Sequence, residues 1–481
     1  MGFDQGNKGD PFRGDYPGRP EHEQWDEHEA RVQRGVADLT QRRYQPAIRH
    51  EHHRLLNERR AQLGPVSPQR EHTGGFAAAV RKIDSLPVET GFDTLLTPGE
   101  ILITGSSYDG RRTPDGAPGP GPSAKGYLDH IGMEAHDIGC IDLRGRVLRL
   151  TPRDNREMTP RELADLADTL RNRGFTASLS HITPTASVVK GMGAPQPADP
   201  PAGPPQFGDG TGKPAKVAII DTGISDQPRS DGWLQGVTGD TDPLDRFPPP
   251  GGDGYLDLAA GHGTFVAGIV RQVAPRARVR VYRAVDSDGI GSEVTVACEM
   301  VRAVKEGKAH LINLSLGCQT HDDLPPIAIQ AALEVIGEWE REQDREVVIV
   351  AAAGNYGDMR PCWPAAFRRV VSVGGLGPDM RPVPWSSHGY WATCSTIGQG
   401  LRSTYVQGRE SPLLDPDPRT FGPSAWGAWS GTSFAAPQIT GALARLHEEY
   451  GYPLREALDR LLAAGQPVPG YGQALKILPG V

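Results

Sequence analysis

Between Ala215 and Leu475 the apolar residues fall into short continuous runs: Val217–Ile220, Val279–Val281, Leu311–Leu316, Val347–Ala352 and Val370–Val373. Runs of this length, without polar alternation and separated by helical patterns, are what a parallel sheet covered on both faces requires. This half of the chain, 214–481, is expected to be an α/β domain. Upstream the pattern differs. Ile101–Ile103 and Arg146–Leu150 read as strands, and Phe175–Leu179 and Ser187–Val189 as two more. Between them Thr159, Pro160 and Glu162 form a T-x-x-E helix start, Leu163, Leu166 and Leu170 line one face, and Gly174 ends it. Strands, one amphipathic helix and strands again predict a small α+β domain over 94–190. Residues Ser106 to Pro122, mostly Gly, Pro and Asp, are expected to be a loop.

Two stretches carry too little apolar surface to pack. Residues 1–93 are dense in charge with a thin apolar stripe, predicting a partly helical or disordered arm. Its His50, His52 and His53 read as a polar face, since no carboxylate or cysteine framework surrounds them. Residues 191–213 (GMGAPQPADPPAGPPQFGDGTGK) are rich in proline and glycine and are expected to be a linker.

Composition narrows the function. The chain has 481 residues, 51 Lys and Arg against 59 Asp and Glu, and a formal charge of −8, so it lacks the basic excess of a nucleic-acid binder. No apolar run approaches the roughly 20 residues of a membrane span. The N-terminal MGFDQGNKGDPFRGD has no apolar core of a secretory signal, and the five cysteines (Cys140, Cys298, Cys318, Cys362, Cys394) are scattered. The expected setting is reduced and cytoplasmic, with neither nucleic acid nor membrane as partner.

Four segments carry candidate chemistry. Asp221 ends a buried strand and is followed by Thr222-Gly223, at the sheet edge where ligand sites form in open α/β folds. A lone DTG also suits an aspartic protease, but that dyad needs a second one and none is present. His262 lies between Gly261 and Gly263 at a helix start. Ser433, in SGTSFAAP, lies near a helix N-terminus, where free N–H groups favour developing negative charge, although a plain N-cap suits serine there too. Asn355 ends the run VVIVAAAGN, as an amide donor or a turn residue.

Together, in the order Asp, His, Asn, Ser, these segments resemble the subtilisin-like (subtilase, S8-type) serine peptidases, from about Ala215 to Leu475. The resemblance implies an α/β fold with a parallel sheet flanked by helices. It makes Ser433 the nucleophile, His262 the general base and Asp221 its orienting carboxylate. Asn355 and the Ser433 N–H would form the oxyanion hole, Ser315, Leu316 and Gly317 the edge that pairs with substrate, and Ala352, Ala353 and Gly354 the facing wall of the specificity pocket. The substrate would be a polypeptide and no cofactor is required. Calcium often stabilises the family, and Asp240, Asp242, Asp245, Asp253 and Asp257 cluster, but their spacing matches no defined calcium loop.

Departures are local. Phe265 stands where the family commonly has a second histidine, and the stretch SSHGYWATCSTIGQGLRST lacks the usual Ala-Pro-Gly. Asp358 reads as a solvated loop carboxylate, with a counter-ion for a basic substrate residue as the alternative. By position, 94–190 resembles a subtilase propeptide, against an accessory or partner-binding domain. A propeptide predicts self-cleavage in the linker 191–213, and the N-terminal region is where a regulatory protein would act. Two roles fit such an enzyme: processing a peptide precursor, or a conditionally activated protease. A retired subtilase fold kept for binding is the alternative outside enzymes.

Overall fold

The computed structural model describes residues 83–87, 93–110, 122–154, 156–185, 195–201, 212–247, 251–413 and 418–480. The arm before 83, with its histidines, and the strand expected at Ser187–Val189 lie outside the described residues.

In the N-terminal part, β1 (Asp84–Leu86), β2 (Thr94–Thr104), β3 (Met133–Asp137), β4 (Val147–Pro152) and β5 (Ala177–His181) form one antiparallel sheet. The long β2 is its axis, pairing with β1, β4 and β5, while β3 pairs with β4. Two short helices, α1 (Gly105–Asp109) and α2 (Lys125–His130), precede β3, so the expected loop is helical at its start. Helix α3 (Pro160–Asn172) begins with the anticipated capping box. Thr159 Oγ1 accepts from the Glu162 N–H at 3.3 Å, and Glu162 Oε2 accepts from the Thr159 N–H at 2.8 Å. Leu163, Leu166 and Leu170 are buried against Ile101, Ile103 and Leu179.

The larger part is a nine-stranded sheet in the order β18-β19-β13-β12-β11-β10-β7-β9-β8. Its members are β7 (Lys216–Asp221), β8 (Thr238–Gly239), β9 (Arg278–Arg283), β10 (Leu311–Leu314), β11 (Val348–Ala352), β12 (Val370–Leu376), β13 (Cys394–Ile397), β18 (Gln466–Val468) and β19 (Gly472–Ala474). All pairs are parallel except the β18–β19 hairpin. Side chains alternate between two cores, as the two-residue repeat of a strand dictates. Val217, Ile219, Leu311, Val348 and Val350 face α4 (His262–Val273) and α7 (Thr432–Tyr450). Ala218, Ile220, Ile312, Leu314, Ile349 and Ala351 face α5 (Glu293–Lys305) and α6 (Ile327–Gln343). Helix α8 (Leu454–Ala463) follows α7 and seals the first core with Leu454, Ala457 and Leu461.

Smaller pairings complete the domain. β14 (Leu401–Thr404) and β17 (Trp426–Trp429) are antiparallel, as are β15 (Gly408–Arg409) and β16 (Thr420–Phe421). β17 also pairs with β6 (Gln196–Pro197). Gln196 is buried, so the proline-rich stretch is not a free linker throughout.

The two parts share a core. Leu102, Ile138, Cys140, Leu143 and Val147 pack with residues of α5 and α6. Ion pairs ring this contact: Arg146 grips Glu338 through both nitrogens at 3.0 and 2.5 Å, Lys305 reaches Asp142 at 2.9 Å, and Arg171 reaches Asp322 at 2.7 Å. The Cys298 thiol hydrogen-bonds that of Cys140 across the same contact, which lowers the pKa of Cys140 and raises that of Cys298.

Candidate active site

Strand order explains where the site lies. From β7 the chain crosses to β9 on one side, then returns to β10 on the other, so the direction of winding reverses between β7 and β10. At such a reversal a crevice opens beyond the carboxyl ends of the strands. Asp221 ends β7, Ser315 follows β10 and Asn355 follows β11, while His262 and Ser433 begin α4 and α7. The structure brings these residues together, and Asp221, His262 and Ser433 are fully buried.

His262 Nδ1 lies 2.7 Å from Asp221 Oδ1. A neutral imidazole facing a carboxylate keeps its proton on that nitrogen, so Nε2 carries the lone pair. Nε2 is buried and has no partner. The ring sits among Trp429 (5.6 Å, edge-on) and Phe434 (5.3 Å), with Phe265 behind them, 4.6 Å from Phe434. The residue in place of a second histidine thus packs the wall of the site.

The glycines beside His262 answer to close contacts. A Cβ on Gly263 would lie 2.2 Å from the Gly223 carbonyl, and Gly223, at φ +106°, is itself pressed against the backbone of Asp240–Asp242. Asp242 ties the two loops: its Oδ2 accepts from Thr222 Oγ1 and the Gly261 N–H, both at 2.9 Å. Burial raises its pKa, opposed by these hydrogen bonds and by Arg283.

Asn355 is held with one end free. Its Oδ1 accepts from the N–H and the hydroxyl of Thr432, both at 3.0 Å, leaving Nδ2 buried and without a partner. The Ser433 N–H lies in the first turn of α7, where a helix supplies no internal acceptor. A buried amide donor and a free helical N–H flanking one hydroxyl suit an oxygen that becomes negative.

Ser433 Oγ donates to the Ser315 carbonyl at 2.8 Å, so the Ser433–His262 hydrogen bond is not made in this state. Ser315 Oγ in turn donates to the Ser433 carbonyl at 2.7 Å and accepts from Asn313 Nδ2 at 2.8 Å, and Thr440 Oγ1 donates to Asn313 Oδ1 at 3.0 Å. This chain of contacts fixes β10 against α7. Thr432 and Asn313 were not singled out from the sequence. The only sign of them was a polar residue inside LINLSLG and one beside the serine.

The cleft is occupied by the chain itself. After β5, residues 182–185 run as a strand between 289–292 and 315–317. Ile182 bridges Ser292, and Thr185 bridges Leu316. The Thr183 N–H donates to the Gly291 carbonyl at 2.8 Å, the Thr185 N–H to Gly289 at 3.0 Å, and the Gly317 N–H to the Pro184 carbonyl at 3.0 Å. His181, just before, is anchored to the buried Glu293 through its N–H (3.0 Å) and Nδ1 (2.9 Å). Ala352, Ala353 and Gly354, all buried, follow Ala351, which the parallel register sets beside Leu314, and the Cβ positions of Gly354 and Gly317 both abut Cys362 Sγ.

One expectation changes. Asp358 is not a solvated carboxylate: it is half-buried, accepts from Gln319 Nε2 at 2.6 Å and the Arg360 N–H at 3.3 Å, and burial raises its pKa. The five clustered aspartates disperse into separate contacts. Asp240 meets Arg302 and the Arg283 N–H, Asp245 accepts from 253 and 254, Asp253 from 255, and Asp257 from Ser287 Oγ at 2.6 Å. Among the described residues no three His, Cys, Asp or Glu side chains are placed to hold a metal ion.

The profile of the peptidase S8 subtilase family matches residues 212–463, just over half the chain. The protein belongs to the subtilase family. Within it the chain is 29% identical over 262 residues to a thermophilic serine proteinase of Bacillus sp. (strain AK1), covering 51% of this chain and 55% of that one. It is 29% identical over 241 residues to thermitase of Thermoactinomyces vulgaris, covering 48% and 74%, and 28% identical over 248 residues to subtilisin BL of Lederbergia lenta, covering 50% and 78%. The chain thus spans only about half the length of the first of these subtilases.

Proposed function

We propose that this subtilase is a serine endopeptidase held inactive by its own N-terminal domain. The observation that carries the proposal is the pairing of 182–185 with both edges of the cleft, beside an Asp221–His262 pair, a free Asn355 amide and Ser433. For acyl transfer, Ser433 Oγ turns from the Ser315 carbonyl to His262 Nε2, a rotation between staggered positions about one bond. His262 takes its proton as Oγ attacks the peptide carbonyl, and Asp221 stabilises the imidazolium. The oxygen of the tetrahedral intermediate sits between Asn355 Nδ2 and the Ser433 N–H. His262 then gives the proton to the leaving amine, and water releases the acyl group by the same route.

A substrate would enter as 182–185 does, its main chain completing a three-stranded ladder between 289–291 and 315–317. Such binding depends on backbone more than on side chains. With Thr185 opposite Leu316, a substrate bound in the same register would set its next residue opposite Ser315, whose carbonyl touches the nucleophile. The bond after residue 186 is therefore the expected self-cleavage point, upstream of the linker 191–213. The structure favours the propeptide over the accessory-domain reading on this ground. The domain's broad contact with α5 and α6 keeps it seated after the cut, so activity awaits its removal. We keep a cytoplasmic, conditionally active enzyme as the working setting. No helix among the described residues is long and apolar enough to cross a membrane.

The test is covalent labelling by a serine-directed fluorophosphonate, alongside hydrolysis of a peptide mixture, on protein purified full length and then freed of its N-terminal domain by limited digestion with an added protease. Both should occur in the wild type and vanish in Ser433→Ala. A chain that is neither labelled nor hydrolytic would support the retired-fold reading instead.

A further inference from the structure

On the peptidase reading, the side chain of the substrate residue preceding the cut enters between the wall at 315–317 and the wall at 352–354. In this protein those walls are joined. A Cβ built on Gly317 would lie 2.9 Å from Cys362 Sγ, and one built on Gly354 would lie 2.7 Å from the same sulfur. Real Cβ atoms do not approach that closely, so a single thiol fills the gap between the two backbones. Tyr356 crosses at the same level. Its Cδ2 is 3.0 Å from the Cβ position of Gly354, and its hydroxyl donates to the Gly317 carbonyl at 3.3 Å. Pro184, the neighbouring residue of the strand in the cleft, has no N–H to offer that carbonyl, so the tyrosine bridge and the bound strand coexist. Cys362 is completely buried, and burial pushes its thiol pKa up, so it stays neutral and acts by volume.

Resting on that reading, we infer that the cleft selects a small residue (Gly, Ala or Ser) immediately before the scissile bond, and that Cys362 and Tyr356 set the limit. An aromatic side chain carries roughly 150–250 Å² of surface to bury. Between these walls it would have to displace a buried sulfur and a tethered ring from a packed region, which tolerates little added volume. A methyl or hydroxymethyl group asks for no such displacement. Asp358 does not reopen the choice toward basic residues, because Gln319 and the Arg360 N–H already engage its carboxylate. The chain's own sequence agrees with the inference: the residue after Thr185 is alanine.

The experiment measures kcat/KM of the protein, purified full length and freed of its N-terminal domain by limited digestion, on Thr-Pro-Thr-X p-nitroanilides, with X as Gly, Ala, Ser, Leu, Phe or Lys. Wild type should prefer Ala over Phe by about 100-fold or more, the discrimination that a pocket too small by a few methylenes supplies. Tyr356→Ala and Cys362→Ala together should shrink that ratio at least tenfold, chiefly by admitting Phe and Leu. Comparable rates for Phe and Ala in wild type, or a ratio unmoved in a folded double variant, would overturn the inference. If the double variant does not fold, the wild-type ratio decides alone. Failure of the peptidase reading looks different: neither hydrolysis of any peptide nor fluorophosphonate labelling. Labelling without hydrolysis of the Gly, Ala or Ser peptides counts against small-residue selection itself.

Discussion

At the scale of single residues, the site is marked by two buried polar atoms with nothing to bond. Burying a donor or acceptor without a partner costs about 1–3 kcal/mol, so folded proteins rarely leave one idle. Asn355 Nδ2 and His262 Nε2 are both idle, and their side chains touch Thr432 and Phe434, the residues on either side of Ser433. Asn355→Ala should lower kcat by about 10²–10³ with KM little changed, because its hydrogen bond forms only as the oxyanion develops. A raised KM with unchanged kcat would remove Asn355 from that role. Ser433→Ala and His262→Ala should each abolish turnover, and the double variant should be hardly worse than either, since the triad works as a unit. Additive losses would show that the roles are misassigned. These residues were legible in the sequence because each ends a buried strand or opens a helix. Asp358 was misread because its partner Gln319 is 39 positions away, a distance at which sequence pattern is silent.

At the scale of elements, the parallel strands were legible from continuous apolar runs, and α3 from its cap and leucine face. The strand at 182–185 was not. Its Ile-Thr-Pro-Thr pattern has no periodicity, and its partners at 289–292 and 315–317 come from a different domain, so only tertiary pairing makes it a strand. The same holds for Gln196–Pro197, which reads as linker and folds as the edge partner of β17. Inhibition by 182–185 depends on its backbone donors. Thr183→Pro removes the N–H given to Gly291 and Thr185→Pro the one given to Gly289. At about 1 kcal/mol for each hydrogen bond, either change should loosen the segment roughly fivefold. The initial rate of fluorophosphonate labelling of the uncut chain should rise accordingly. A rate unchanged in both variants would mean that the segment does not block Ser433.

At the scale of the molecule, the helix that carries Ser433 at its start is tied to the first strand of the sheet at its end. Glu448 Oε1 accepts from the Ala215 N–H at 3.1 Å, and burial raises the carboxyl pKa from 4.5 to about 7, against the pull of that hydrogen bond and of Arg276 and Arg271. The folded state therefore holds a proton that the unfolded chain gives up near 4.5. The stability this proton lends is complete below that value and is lost as pH rises to about 7. Glu448→Gln keeps the acceptor and removes the titration. It should raise the unfolding free energy at pH 8, by on the order of 3 kcal/mol at most, with Tm rising in step, and leave both unchanged near pH 4.5. An equal effect at both pH values would exclude the buried charge as its cause.

The most direct measurement of a subtilase held shut by its own N-terminal domain is the intact mass of the full-length protein over time. It should be followed at two concentrations differing tenfold, with Ser433→Ala in parallel. The wild type should yield one cut, after Ala186, at a first-order rate that does not change with dilution, with both fragments remaining together. Ser433→Ala should stay whole. A wild-type chain that remains intact while hydrolysing peptides at full rate, or a cut whose rate falls with dilution, would contradict the account.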